Sequence, residues 1–221
     1  MPHLGAGMSV VPELLVREVL LAGLVEVAGD TTRINEIVGR FDIDPRGGDR
    51  VRRWSEELRA AIRTLPARVR CAVGYPEDRA QAPYLSVVLE GGSEDSRGAV
   101  AGDVLGYHYY PRGDGRAEYQ KVIGIDETST VQVGAWATAP EESLLLLEVA
   151  RNVLFRDKGR LYDAGVHEVA FSHGGDEPNP ERFPWTGYVP VLRCTMTWTR
   201  RQTRRVGLVP TQASWTTNFS N

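Results

Sequence analysis

Val131-Gln-Val-Gly-Ala-Trp-Ala137, Thr138-Ala-Pro-Glu-Glu142, an apolar stretch through Phe155, Val166-His-Glu-Val-Ala-Phe171 and Tyr188-Val-Pro-Val-Leu-Arg-Cys-Thr-Met-Thr-Trp198 follow one another along the second half of the chain. The first, fourth and fifth pieces have the composition and alternation of strands, and the second opens a helix. The run therefore predicts strand, helix, strand, long turn, strand. No nucleophile elbow, phosphate loop or metal cage interrupts it. What it offers is an order of elements rather than a catalytic motif, which points toward assembly.

The helix has its own signals. Thr138 is placed to cap it, with Glu141 at capping-box spacing; Pro140 suits the first turn, and Glu141 and Glu142 lie at the positive end of the dipole. Leu144 to Leu147, Val149 and Val153 to Phe155 exceed one narrow stripe. The helix is therefore expected to pack on more than one side, against the sheet and against a neighbouring subunit. Arg151, Arg156, Lys158 and Arg160 load its far end, and Gly165 ends the connection to the next strand.

Outward from this run, Ala67 to Val73 alternates as a strand and Gly74-Tyr-Pro76 turns the chain. Tyr84 to Leu89 is almost continuously apolar, as in a central strand, and Glu90 to Asp95 reads as an acidic loop. Val104 to Tyr110 and Glu118 to Ile125 are expected strands, joined by the hairpin signal Pro111-Arg-Gly-Asp-Gly115. Towards the N-terminus, Ser9 is a candidate cap for a helix ended by Gly29-Asp30. A second helix runs from about Asp49 to Thr64, with Pro66 as its stop. Ile34 to Ile43 carries no clear period. The whole predicts an α+β fold: a mixed, mainly antiparallel sheet packed by helices, with an N-terminal helical segment (residues 1–66), a core (67–199) and an extended basic C-terminal arm (200–221).

Composition bounds the class. With 221 residues, 42% hydrophobic and 25% charged, the chain is in the globular range. Val10 to Ala28 contains Glu13, Arg17, Glu18 and Glu26, which neither a signal-peptide core nor a spanning helix carries, so an intracellular, untargeted protein is expected. Cys71 and Cys194 lack metal or disulfide spacing and read as small apolar strand residues. Net charge is -3, but residues 182–221 hold six arginines and no acid; -3 less +6 leaves -9 on residues 1–181. The centre of the basic strip is Arg200, Arg201, Arg204 and Arg205. An arm of this kind can pair with carboxylates on a neighbour.

The succession Val69-Arg-Cys-Ala-Val-Gly-Tyr-Pro76, Ala82-Pro-Tyr-Leu-Ser-Val-Val-Leu-Glu90, Val133-Gly-Ala-Trp-Ala137 with its Pro-Glu-Glu helix, Leu161-Tyr-Asp-Ala-Gly165 and a closing Tyr-Val-Pro-Val strand resembles the tail terminator or tail-completion (neck) proteins of tailed bacteriophages. The resemblance covers about residues 67–199 and is a pattern of elements rather than a signature. It implies a structural virion protein without a cofactor, assembled in the host cytoplasm. Such a protein forms a ring, usually a hexamer, that caps the tail tube and joins it to the neck, with neck or connector proteins and the tail sheath as neighbours. DNA passes such a channel without specific binding, and no membrane is involved. The N-terminal helices and the basic arm depart from shorter members.

A ring subunit needs two unlike surfaces that meet head to tail. The arginine strip supplies one, and Glu90, Glu94, Asp95, Asp103, Asp126 and Glu127 are candidates for the other. Trp185, in a proline-rich loop, and Trp215 and Phe219, in a tail with little else apolar, are candidate partner anchors. Trp198 reads as core. Two other classes set limits. His167, His173 and Asp176, near Glu168, are the raw material of a metal-dependent hydrolase, but the histidines sit far apart along one strand face. His108 lies in an aromatic strand. Arginines on the second helix suggest nucleic acid, but Asp49, Glu56 and Glu57 interleave with them and the overall charge is acidic.

Overall fold

The computed structural model describes residues 11–41, 48–77, 81–94, 103–111, 116–174 and 189–210, of which 48–54, 93–94, 103–109, 111, 116–117, 119, 122 and 200–210 are described by backbone alone. Ser9 lies outside them. Helices α1 (Pro12–Gly29), α2 (Thr31–Gly39) and α3 (Gly48–Arg68) precede strands β1 (Arg70–Val73), β2 (Tyr84–Glu94), β3 (Asp103–Pro111) and β4 (Arg116–Trp136); α4 (Pro140–Arg156), α5 (Lys158–Asp163), β5 (Val166–Gly174) and β6 (Val191–Pro210) follow. The fold is α+β, with strand order β1-β2-β4-β6-β5 and β3 beside β4.

β1 and β2 are parallel, whereas β3 with β4 and β5 with β6 are antiparallel. Side-chain pairs fix the rest. Thr128 with Thr197 and Thr130 with Thr195 step in opposite directions, which makes β4 and β6 antiparallel. Close approaches of Gly134 to Ser86 and of Gly92 to Ser129 do the same for β2 and β4. The sheet is mixed and mainly antiparallel.

The chain divides into two compact units. One holds residues 10–92 and 128–198, so α1 to α3 belong to the same unit as the sheet rather than to a segment of their own. The other holds residues 1–9, 93–127 and 199–221, and its described part includes the β3–β4 hairpin. β4 and β6 contribute residues to both. Two strands expected separately, Glu118 to Ile125 and Val131 to Ala137, are thus one strand of 21 residues.

In the larger unit, helices cover one face of the sheet. Alternate residues there, Leu85 and Val87, Val131, Val133 and Ala135, and Leu192, Cys194, Met196 and Trp198, share one core with α1 to α5. The excess apolar surface of α4 has a partner within the chain. α1 packs along α4, and a Cβ placed on Gly23 would overlap Val153 Cγ1 and come within 2.8 Å of Asp157 Oδ2. Leu145, Leu146, Leu147, Val149, Ala150, Val153 and Leu154 are all buried. Much of the second packing surface that the sequence assigned to a neighbouring subunit is met within the chain by α1 and α2, while Leu144 and Phe155 stay exposed.

Local signals misread boundaries for identifiable reasons. Ala139, not Thr138, is the N-cap of α4, and it makes no side-chain cap bond; Pro140 at N1 and the acids of the first turn start the helix without a capping box. Pro66 lies inside α3, because near a C-terminus it forfeits a single backbone bond while buried Ile62 and Leu65 anchor the turn. β1 is consequently only Arg70–Val73. The unassigned stretch after Gly29 is α2, capped by Asp30 Oδ1, which accepts from Thr32 N at 2.8 Å and Arg33 N at 3.3 Å. Residues 90–94, expected as a loop, continue β2. Gly165, at φ 96°, makes the left-handed turn into β5.

Candidate functional site

The face of the sheet away from the helices is polar at its centre. Thr128 Oγ1 and Thr197 Oγ1 lie 3.1 Å apart, Thr130 Oγ1 and Thr195 Oγ1 3.0 Å. Beside them Arg193 Nε donates to both carboxylate oxygens of Glu90, at 2.7 and 3.1 Å, and its guanidinium carbon would be 2.8 Å from a Cβ on Gly174. At one end of this face Trp136 is buried against Tyr84 and Val189, meets Tyr75 edge-on and donates from Nε1 to Ser86 Oγ at 2.9 Å.

A second polar arrangement ties the helices together. Arg33 of α2 donates to Asn152 Oδ1 (3.1 Å) on α4 and pairs with Asp157 (3.3 Å), and its guanidinium is 3.8 Å from Glu26 of α1. The Arg33 and Asp157 side chains are only 11% and 13% exposed. Arg160 also reaches Glu26, and Arg156 reaches Glu36. Next to this network, Arg40, Phe41, Leu144, Glu148 and Arg151 line an open pocket of about 510 Å³, in which Glu148 accepts from Arg40 (2.8 Å) and Arg151 (3.3 Å). Its acid is neutralised twice, while the buried Arg151 Nε makes no hydrogen bond.

A third arrangement stands where α4, α5 and β5 meet. Phe155 and Phe171 stack at 4.6 Å, with Lys158 Nζ 5.2 and 5.5 Å from the two ring centres and the Arg151 guanidinium 5.6 Å from Phe155. Phe155 remains 42% exposed. Phe155 and Lys158 are three apart on the chain; the missing signal was Phe171, which only the sheet brings alongside.

The residues singled out from sequence fall as follows. Arg200, Arg201, Arg204 and Arg205 are residues of β6, which continues to Pro210, so they do not lie on an arm beyond a strand ending at Thr199. Glu94 is the last residue of β2 and Asp103 the first of β3. Asp95, Asp176, Trp185, Trp215 and Phe219 lie outside the described residues. Among the candidate acids, Glu90 pairs with Arg193, and Asp126 accepts from Thr199 Oγ1 at 2.7 Å. Trp198 is core, as expected.

The histidine constellation is rearranged by a bulge. Val166 pairs with Trp198 and Glu168 with Thr197, so His167 is the extra residue of β5 and does not share a regular face with His173. Among the described residues no group of three His, Cys, Asp or Glu could hold a metal ion. Cys71 and Cys194 are buried on the helix-covered face, and burial pushes both thiols up to about 12. They are packing residues in chemistry as well as position. Among the described residues no helix is long and apolar enough to cross a membrane.

Compared with known proteins, the chain matches no family model and no curated sequence.

Proposed function

We propose that this chain is a structural subunit that joins copies of itself head to tail into a ring. In its specific form the proposal is a six-copy ring at the head-proximal end of a bacteriophage tail, touching the tail tube, the neck or connector proteins and the tail sheath, with DNA passing through its channel. The α+β fold agrees with what the sequence resemblance implies for such a protein. One observation carries the reading. β6 runs for 20 residues, and its stretch from Arg200 to Arg205 holds four of the six arginines of a C-terminal segment at +6, against -9 on the rest of the chain. Strands of globular proteins usually have about 3–10 residues, so half of β6 exceeds what a sheet core needs. Unlike charges on one subunit let the basic part of one copy meet an acidic part of the next.

Negative-stain imaging and mass photometry of the purified protein test the assembly. Rings with a central channel support it; a monomer at all accessible concentrations overturns it. Because the arginines are strand residues, the fitting perturbation is substitution rather than truncation. R200Q, R201Q, R204Q and R205Q together are expected to abolish the ring while leaving the circular dichroism spectrum unchanged. A ring that persists removes the arginines from the joint.

A further inference from the structure

The two ends of the sheet are unlike. β1 closes one end with four residues, and Arg70 N and Gly74 N donate inward to Pro83 O and Val87 O. Alternation then leaves only Cys71 and Val73 with backbone groups turned outward. One of these, the Cys71 carbonyl, already accepts from Arg17 Nε of α1 at 3.4 Å. Such an edge is blunted against further strands.

β5 closes the other end and carries none of these devices. It pairs with β6 without interruption from Glu168 to Gly174, and among the described residues no strand pairs with its outer side. It contains neither proline nor lysine, and His167, Glu168, Ala170, Ser172 and His173 are exposed. On the helix side of this edge stands the Phe155–Phe171 stack under Lys158. Among the described residues no carboxylate forms an ion pair with Lys158: the nearby acids Glu148 and Asp157 pair with arginines instead.

We infer that the outer edge of β5 is a docking site for an extended, acidic segment of another protein, which adds to the sheet as a further strand. Main-chain hydrogen bonds align the segment, and side chains at alternate positions read its sequence. On the helix side an apolar residue of the incoming strand lies against Phe171 and a carboxylate reaches Lys158. Charge selects this occupant over a second copy. Pairing β5 with its own symmetry mate would set the Lys158 and Arg151 cluster of one copy beside that of the other, which like charges oppose. The inference goes beyond the ring reading and does not depend on it.

A display library of random short peptides, selected on the whole protein and counter-selected on Lys158→Glu, tests the site. The enriched peptides are expected to alternate apolar and acidic residues. The best of them, made synthetically, is expected to lose at least about tenfold in affinity towards Lys158→Glu. It is expected to lose as much when alternate amides are N-methylated, which blocks strand pairing but leaves charge unchanged. Failure to enrich any peptide, enrichment without acids, or binding indifferent to N-methylation each overturns the inference. So does a wild-type dimer that Ala170→Pro disperses, because that outcome makes a second copy the occupant. Lys158→Glu must keep the wild-type circular dichroism spectrum and unfolding midpoint, and Lys158→Gln, which removes charge without reversing it, supplies the comparison if it does not.

Discussion

Gly23→Ala sets two opposed effects against each other at the junction of α1 and α4. In an exposed helix interior, alanine in place of glycine stabilises by about 1 kcal/mol. At Gly23 the added methyl overlaps Val153 Cγ1, lies 3.0 Å from Cγ2, and stands 2.8 Å from the Asp157 carboxylate that holds Arg33. Neither neighbour can retreat freely: Val153 is fully buried, and Asp157 belongs to the network joining α2, α4 and α1. Overpacking of this kind costs about 1–3 kcal/mol, and displacement of the Arg33–Asp157 pair adds to it, so the net expectation is a loss of about 1–2 kcal/mol. Urea unfolding followed by tryptophan fluorescence reads the change. Gly159→Ala in α5, where a Cβ meets nothing within 4 Å, is the control and is expected to be neutral or stabilising. Val153→Ala should relieve part of the clash, giving the double variant a favourable coupling of about 1 kcal/mol. A Gly23→Ala protein as stable as wild type would refute the claim that α1 seals α4 by direct contact.

Three further substitutions probe other parts of the fold. Trp136→Phe keeps the ring packing but strands buried Ser86 Oγ without its indole donor; a loss of about 1–3 kcal/mol is expected in the same unfolding assay. Arg33→Ala leaves Asp157 largely buried without its cation and should cost about 3 kcal/mol. The same change at Arg40, which is 41% exposed beside Glu148, should cost below about 1 kcal/mol; equal losses would show that burial does not set the difference. The thiols predict a pH dependence. Their folded pKa is raised to about 12, so the unfolded chain loses its thiol protons first, and their contribution to stability is present at pH 8 and lost as pH rises through 9 towards 12. Unfolding midpoints at pH 8 and 10.5 should diverge more in wild type than in Cys194→Ala, and native protein at pH 8 should resist alkylation.

The fold class was legible because strand alternation and helix periodicity are local properties, strongest where burial is one-sided. The even positions 192–198 show this directly: each has the spacing its sheet face demands and each is buried, whereas Tyr84 to Val87, buried on both faces, was legible as a nearly unbroken apolar run. Boundaries were less legible where a distant partner overrides a local signal. Pro66 stops a helix only if the backbone bond it removes matters, and in α3 that loss falls in a last turn anchored by the core. The excess leucines of α4 announced a second packing surface correctly but could not say whose. Its partner, α1, lies more than a hundred residues earlier, and only the glycine at position 23 marks the contact. The same limit hid the Phe155–Phe171 stack and the Arg33–Asp157 pair, whose members come together only when the sheet and helices assemble.

The unlike sheet edges also constrain the proposed ring. The simplest way to join subunits head to tail is to continue one sheet into the next, β1 of one copy on β5 of another, and that requires free backbone groups at both ends. β1 offers two outward residues, and Arg17 already occupies one of their carbonyls. A joint of that kind would leave most of the β5 edge unpaired, so it is a poor candidate for the ring contact. The arginines of β6 and the open edge of β5 belong to different compact units and answer to different charges. Their perturbations should therefore separate. Replacing the four arginines should disperse rings without changing the affinity of a selected acidic peptide, whereas Lys158→Glu should weaken peptide binding at least about tenfold and leave rings intact by mass photometry. Loss of both properties in either variant would mean that one surface serves both, and the assignment of separate roles would fall.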